Sequence, residues 1–105
     1  MPLKKFWLSR RLARADALLL KGRLDDAQVL YVKILNAWPP DTVQVAANAG
    51  LAETEYRRGS VRNGRYYAGL CLQSVEAQPS LAESPGLQQR LDRLRGYLEE
   101  NDGPA

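Results

Sequence analysis

The stretch "KGRLDDAQVLYVKILNAWPPD", residues 21–41, decides the fold. It opens on Gly22 and closes on Pro39-Pro40, and between them Leu24, Ala27, Tyr31, Ile34 and Leu35 recur at helical steps. The spacing gathers them on one face of a helix expected over residues 24–38. Gly22 ends the preceding helix, because glycine enters the left-handed backbone region without steric cost. The two prolines end this one, since proline removes a backbone donor and restricts the residue in front of it. Ala27, small and early in the helix, lets a neighbouring helix approach closely.

Reading outward, the same periodicity continues on both sides. A first helix is expected over residues 4–21, with Leu8, Leu12, Ala15 and Leu19 on its buried stripe. Asp41, with Gln44 three residues later, has the form of a capping box for a third helix that stops at Gly59. Ser60 caps a fourth helix over 61–77, which ends before Pro79. Ser84-Pro85 then introduces a fifth, over 84–100, striped with Leu87, Leu91, Leu94, Tyr97 and Leu98. No run alternates as a strand would. The chain is therefore read as all-α, with about five antiparallel helices in one domain over residues 1–100 and a disordered tail at 101–105.

Within this pattern lies a repeat. Laying "RADALLLKGRLDDA" (14–27) over "LAETEYRRGSVRNG" (51–64) matches Ala15 with Ala52, Asp16 with Glu53, Gly22 with Gly59, Leu24 with Val61 and Ala27 with Gly64. Each unit is a helix, a glycine turn and a second helix with an early small residue. These residues resemble the tetratricopeptide repeat, a helical hairpin of about 34 residues with pattern W-x2-L-G-x2-Y…A-x3-F…P. Ala15, Leu18, Gly22, Ala27, Tyr31, Ile34 and Pro39 stand at the family's small, Tyr, Gly, Ala, aromatic, apolar and Pro positions, and Leu51, Ala52, Gly59 and Gly64 follow in the second unit. Arg11, Arg14, Asn48 and Glu55 depart from the pattern. The resemblance implies one repeat over about 8–40, a second over about 41–79 and a closing helix over about 84–100. It also implies a non-enzymatic adaptor, scaffold or small chaperone that binds another protein.

Composition narrows the chemistry independently. The 105 residues contain no histidine and one cysteine, Cys71, which removes histidine-based catalytic pairs, histidine metal ligands and an intrachain disulfide. No metal or cofactor is expected. Asp25-Asp26 and Glu99-Glu100 are adjacent pairs whose side chains diverge on a helix, so no acid-base catalytic pair is expected either. Cys71 is expected to be a buried thiol, and the setting a cytoplasmic one. The basic start "MPLKKFWLSRRLAR" lacks the apolar core of a secretory or twin-arginine signal and is read as mature protein.

Net charge of +3 conceals alternating blocks: seven basic and one acidic residue over 1–23, one and five over 24–56, four and none over 57–75, three and six over 76–105. That alternation, without a recognition-helix pattern, speaks against nucleic acid and leaves an RNA-associated protein as the third reading. The "RRGSVRNGR" segment lacks the spacing of a phosphate loop and is expected to be a solvated turn.

For partner binding, the resemblance implies a concave surface built from Leu12, Asp16, Leu19, Leu20, Ala49, Glu53, Tyr56 and Arg57, with Ser9 and Ala46 beside them. Such a surface suits an apolar or amphipathic helix, with Asp16 and Glu53 selecting a basic residue; a second copy of the chain is another candidate occupant. Either the surface is open or the fifth helix fills it with Leu87, Leu91 and Leu94, and the two acids favour the open form. A second contact is the basic amphipathic start, where Lys4, Lys5, Phe6, Trp7, Arg10 and Arg11 could meet an acidic partner or the inner face of an anionic membrane.

Overall fold

The computed structural model describes residues 2–101, with no side-chain description for residues 2–5 and Pro85. Among the described residues there are five α-helices and no strand: α1 (Pro2–Leu20), α2 (Leu24–Leu35), α3 (Asp41–Arg57), α4 (Val61–Ala77) and α5 (Pro85–Asn101). A 3-10 turn, Pro79–Glu83, joins α4 to α5. This turn is absent from the sequence expectation. Leu81 anchors it in the core, so the link between helices is ordered by burial as well as by proline.

The two glycine turns share one hydrogen-bond pattern. At the first, Gly22 N–H donates to Leu19 O at 3.0 Å and Arg23 N–H to Leu18 O at 2.9 Å; at the second, Gly59 donates to Tyr56 O at 3.0 Å and Ser60 to Glu55 O at 2.8 Å. Both glycines have positive φ, +80° and +88°. This is the paired cap in which a left-handed residue satisfies the last carbonyls of a helix. The sequence repeat, a shift of 37 residues from Gly22 to Gly59, is thus also a repeat of backbone geometry.

Two expected helix ends differ. α2 stops at Leu35 rather than 38, and Trp38 adopts φ +54°, a left-handed conformation without glycine's freedom. The residue is 88% exposed. Asp41 is the first residue of α3 and makes no cap: Pro40 holds the cap position, and its carbonyl accepts from Val43 and Gln44 N–H at 3.0 and 2.8 Å. Ser60 stands at the cap position of α4 without a side-chain cap bond. At the other terminus Asn101 belongs to α5, and residues 102–105 of the expected tail lie outside the described residues.

α3 lies between the hairpin partners on both sides and is buried almost throughout. Val43, Ala47 and Leu51 enter a core with Leu8, Ala15, Leu19, Ala27, Tyr31 and Ile34 of the first hairpin. Val45, Ala49, Ala52 and Tyr56 enter a second core, with Ala68 and Cys71 of α4 and Leu87, Leu91 and Leu94 of α5. A helix surrounded in this way needs small residues, and α3 supplies alanines and Gly50. A Cβ on Gly50 would lie 2.3 Å from the Tyr31 ring, and one on Gly64 would lie 2.8 Å from the Tyr56 ring. Each tyrosine fills the space of a missing side chain on the next helix.

Glu55, a departure from the repeat pattern, is also buried. Its oxygens accept from Gln28 at 2.9 Å, Arg58 at 3.0 Å and Asn63 at 3.1 Å, and Arg58 reaches on to Asp25 at 3.1 Å. One carboxylate thereby ties α2, α3 and α4 together where the two hairpins meet, with its charge fully hydrogen-bonded.

Gly50→Ala should cost about 3 kcal/mol, because the Tyr31 ring is enclosed and cannot yield. Gly69→Ala, in a helix with open space where the Cβ would go, should be neutral or stabilising by up to about 1 kcal/mol. Urea melts of the two variants test this contrast.

Candidate functional site

The surface expected to receive a partner is partly occupied by the chain's own last helix. α5 packs Leu87, Leu91 and Leu94 into the core shared with α3. Tyr56 is buried and stacks on Tyr97, with ring centroids 5.1 Å apart and planes 3° from parallel. Ala49 is buried in the same core. The expectation of an open groove therefore gives way: its α3 half is an interior surface, covered because α5 carries leucines at matching helical steps.

The two acids explain how this closure accommodates charge. Asp16 accepts two hydrogen bonds from the Arg90 guanidinium, one at 2.9 Å, and another from the Tyr31 hydroxyl. Glu53 accepts from Arg93 Nε at 2.9 Å. Asp16 and Glu53 occupy equivalent places in the repeat, and their partners stand one turn apart on α5. The basic residues expected of a foreign helix are thus supplied internally. Their signal was present in the sequence: "QQRLDRLRGYL" sets arginines beside a leucine stripe.

Elsewhere the closure is incomplete. Among the described residues, no Cα of α5 comes within 8 Å of a Cα of α1, so the two helices are joined mainly across the long Arg90 side chain. Between them lies a cleft of about 410 Å³. Leu19 and Leu20 line one side, Gln89, Arg90 and Arg93 the other, and Asp16, Glu53 and Arg57 the base and end. Leu19 is buried, whereas Leu20 is 85% exposed. Arg57 is exposed and donates to Leu19 O at 3.0 Å, holding the end of α1 against α3. Leu12, further along α1, is half-buried on the first core and does not line the cleft. Of the expected residues, Asp16, Leu19, Leu20, Glu53 and Arg57 are brought together here; Gln89, Arg90 and Arg93 join them unforeseen.

At the start of the chain, Phe6 and Trp7 are exposed, but each carries a guanidinium: Arg10 lies 5.8 Å from the Phe6 ring centre and Arg11 3.6 Å from that of Trp7. The side chains of Lys4 and Lys5 lie outside the described residues.

Burial and then Asp16 push the Tyr31 hydroxyl well above its ordinary value. For Arg90, burial pulls downward but the hydrogen bond and charge of Asp16 outweigh it, and the group is raised. Burial likewise pushes the Cys71 thiol up to about 11, opposed in part by Arg90, which makes it a poor nucleophile. No group of three or more potential metal-ligating side chains occurs among the described residues, and no described helix is long and apolar enough to cross a membrane.

Geometry thus defines a small all-helical protein, two consecutive hairpins closed by a fifth helix, with a cleft where the closure is partial. No family model, curated protein or solved structure matches the chain.

Two substitutions probe this arrangement. Leu19→Glu places an unpaired carboxylate in the core and should destabilise the fold by about 2–5 kcal/mol in chemical melts. For Tyr31, the unfolded chain ionises near the ordinary value of 10.0 while the folded chain holds the proton to higher pH. Stability from this group is therefore complete below about pH 10 and falls as pH rises beyond it. Tyr31→Phe should cost about 1–3 kcal/mol at neutral pH by removing a hydrogen bond to Asp16, yet show a shallower loss of stability above pH 10.

Proposed function

We propose that this protein is a non-enzymatic adaptor of the tetratricopeptide kind, a scaffold or small chaperone that binds a short apolar or amphipathic segment of another protein. The observation that carries the reading is the cleft between α1, α3 and α5, with Leu20 exposed at its mouth. Support for the family comes from the repeated glycine turns and from the tyrosine-against-glycine contacts between successive helices. An incoming apolar side chain would lie against Leu19 and Leu20. Because Asp16 and Glu53 are already paired with Arg90 and Arg93, recognition at the rim falls to the exposed Arg57, whose guanidinium spends one donor on Leu19 O and favours an acidic or carbonyl-rich flank with the rest. A cytoplasmic setting suits a chain whose one cysteine is a buried thiol.

The alternative, a peripheral membrane protein anchored by α1, draws on the exposed Phe6 and Trp7. Arg11 over the Trp7 ring weighs against it, since insertion would have to strip that cation from the aromatic face. Peptides selected from a displayed library on the full-length protein test the adaptor reading. Leu20→Glu should weaken the selected peptides at least about tenfold with no change in melting temperature, whereas undiminished affinity would exclude the cleft. Co-sedimentation with anionic vesicles that is lost in Phe6→Ser/Trp7→Ser would favour the membrane alternative.

A further inference from the structure

On the outer side of the first hairpin, away from α3, runs a second groove of about 490 Å³ between α1 and α2. Its floor is the part-buried Leu18 of α1 and Leu30 of α2, with the exposed Val29 at its edge. Its rim is basic, with Arg11 and Arg14 on one helix, and Arg23 and Lys33 associated with the other. The position in the fold explains why it exists. α3 packs on one side of α1 and α2, and the groove lies on a side where only these two helices and the turn between them contribute. Val29 in this groove is 53% exposed.

Charge separates this groove from an ordinary solvated face. Its single acid, Asp26, is engaged by Arg23 at 2.6 Å. Arg14 and Lys33 have no ion-pair partner among the described residues, and Arg11 rests on Trp7. A row of cations thus borders an apolar floor with only one carboxylate to balance it. The lining extends along α1 from Arg11 to Leu18, about two turns or roughly 10 Å, the footprint of a short helix laid between two others.

We infer that this groove docks an acidic amphipathic helix of another protein, with leucine-like side chains on the floor and glutamate or aspartate against the rim. The shape argues against a bilayer, because a flat anionic surface would meet the arginines before the recessed Leu18 and Leu30. Nucleic acid would use the cations but leave the apolar floor without a partner. The inference goes beyond the inner cleft: that site lies between α1, α3 and α5, and Leu20→Glu does not touch the outer groove. An adaptor with both surfaces would bring two different segments together on opposite sides of one hairpin.

The test is a titration of the full-length protein against a synthetic helical peptide of about four turns, with leucines on one stripe and glutamates flanking it. Binding should be in the micromolar range, weaken with added salt, and be absent for the same peptide with lysine in place of glutamate. Arg14→Glu/Lys33→Glu should weaken binding at least about tenfold, and Val29→Ser about threefold or more, without altering the helical circular dichroism. Arg14→Gln/Lys33→Gln serves if the charge reversal does not fold, and should give an intermediate loss. Failure to bind the peptide at about 1 mM overturns the inference, as does binding that survives charge loss. An effect of the charges without one of Val29→Ser also overturns it, showing adsorption in place of docking. Preference for phosphatidylglycerol vesicles or polyuridylate over the peptide, lost with the same charges, reassigns the face to membrane or RNA.

Discussion

Everything in this structure depends on enclosing α3. Its buried residues run almost continuously from Val43 to Tyr56, so hairpin partners must cover it from several sides. That requirement forces small side chains along α3, and the small side chains in turn need large neighbours to fill the space they leave. Tyr31 over Gly50 and Tyr56 over Gly64 meet the need in successive layers. Close packing of this kind leaves little room for adjustment, because a filled interior accommodates added volume only by displacing its neighbours.

Burial of α3 also carries polar groups inward, and the chain answers with a division of labour among carboxylates. Glu55 collects donors from α2, from α4 and from Arg58 just past the end of α3, while Asp16 and Glu53 engage the arginines of α5 at the other side. The leucines give α5 most of its contact area, and the arginines fix its register against the hairpins. A partly buried ion pair of this sort contributes modestly to net stability, since desolvation offsets much of the attraction. Its larger effect is positional. The same pairings hold α5 at a distance from α1, and the cleft is the space that remains.

How far the sequence discloses all this varies by residue. Gly22 and Gly59 are legible because left-handed backbone narrows the choice of residue, and the five helices follow from apolar spacing. α2 is overextended by three residues because the sequence cannot show that Trp38 leaves the helix with positive φ ahead of the prolines. Asp41 looks like a cap, but the carbonyl of Pro40 takes the first donors instead. For the cleft, the acids are legible as a repeated feature and their meaning is not. Whether Asp16 faces solvent or Arg90 depends on a contact spanning most of the chain, which local spacing does not encode. α3 itself shows no single apolar stripe, because a helix enclosed from several sides has no reason to segregate its residues.

The placement of the two tryptophans has an optical consequence. Trp38 is 88% exposed and Trp7 48% exposed, so neither indole sits in the apolar interior. Water already reaches both chromophores, whose emission ordinarily shifts to the red as a protein unfolds, although Arg11 covers one face of Trp7. Indole fluorescence would consequently follow the turn after α2 and the start of α1 far more than the enclosure of α3. The buried rings that do track that enclosure are Tyr31 and Tyr56, weaker emitters seen through their absorbance and near-ultraviolet dichroism.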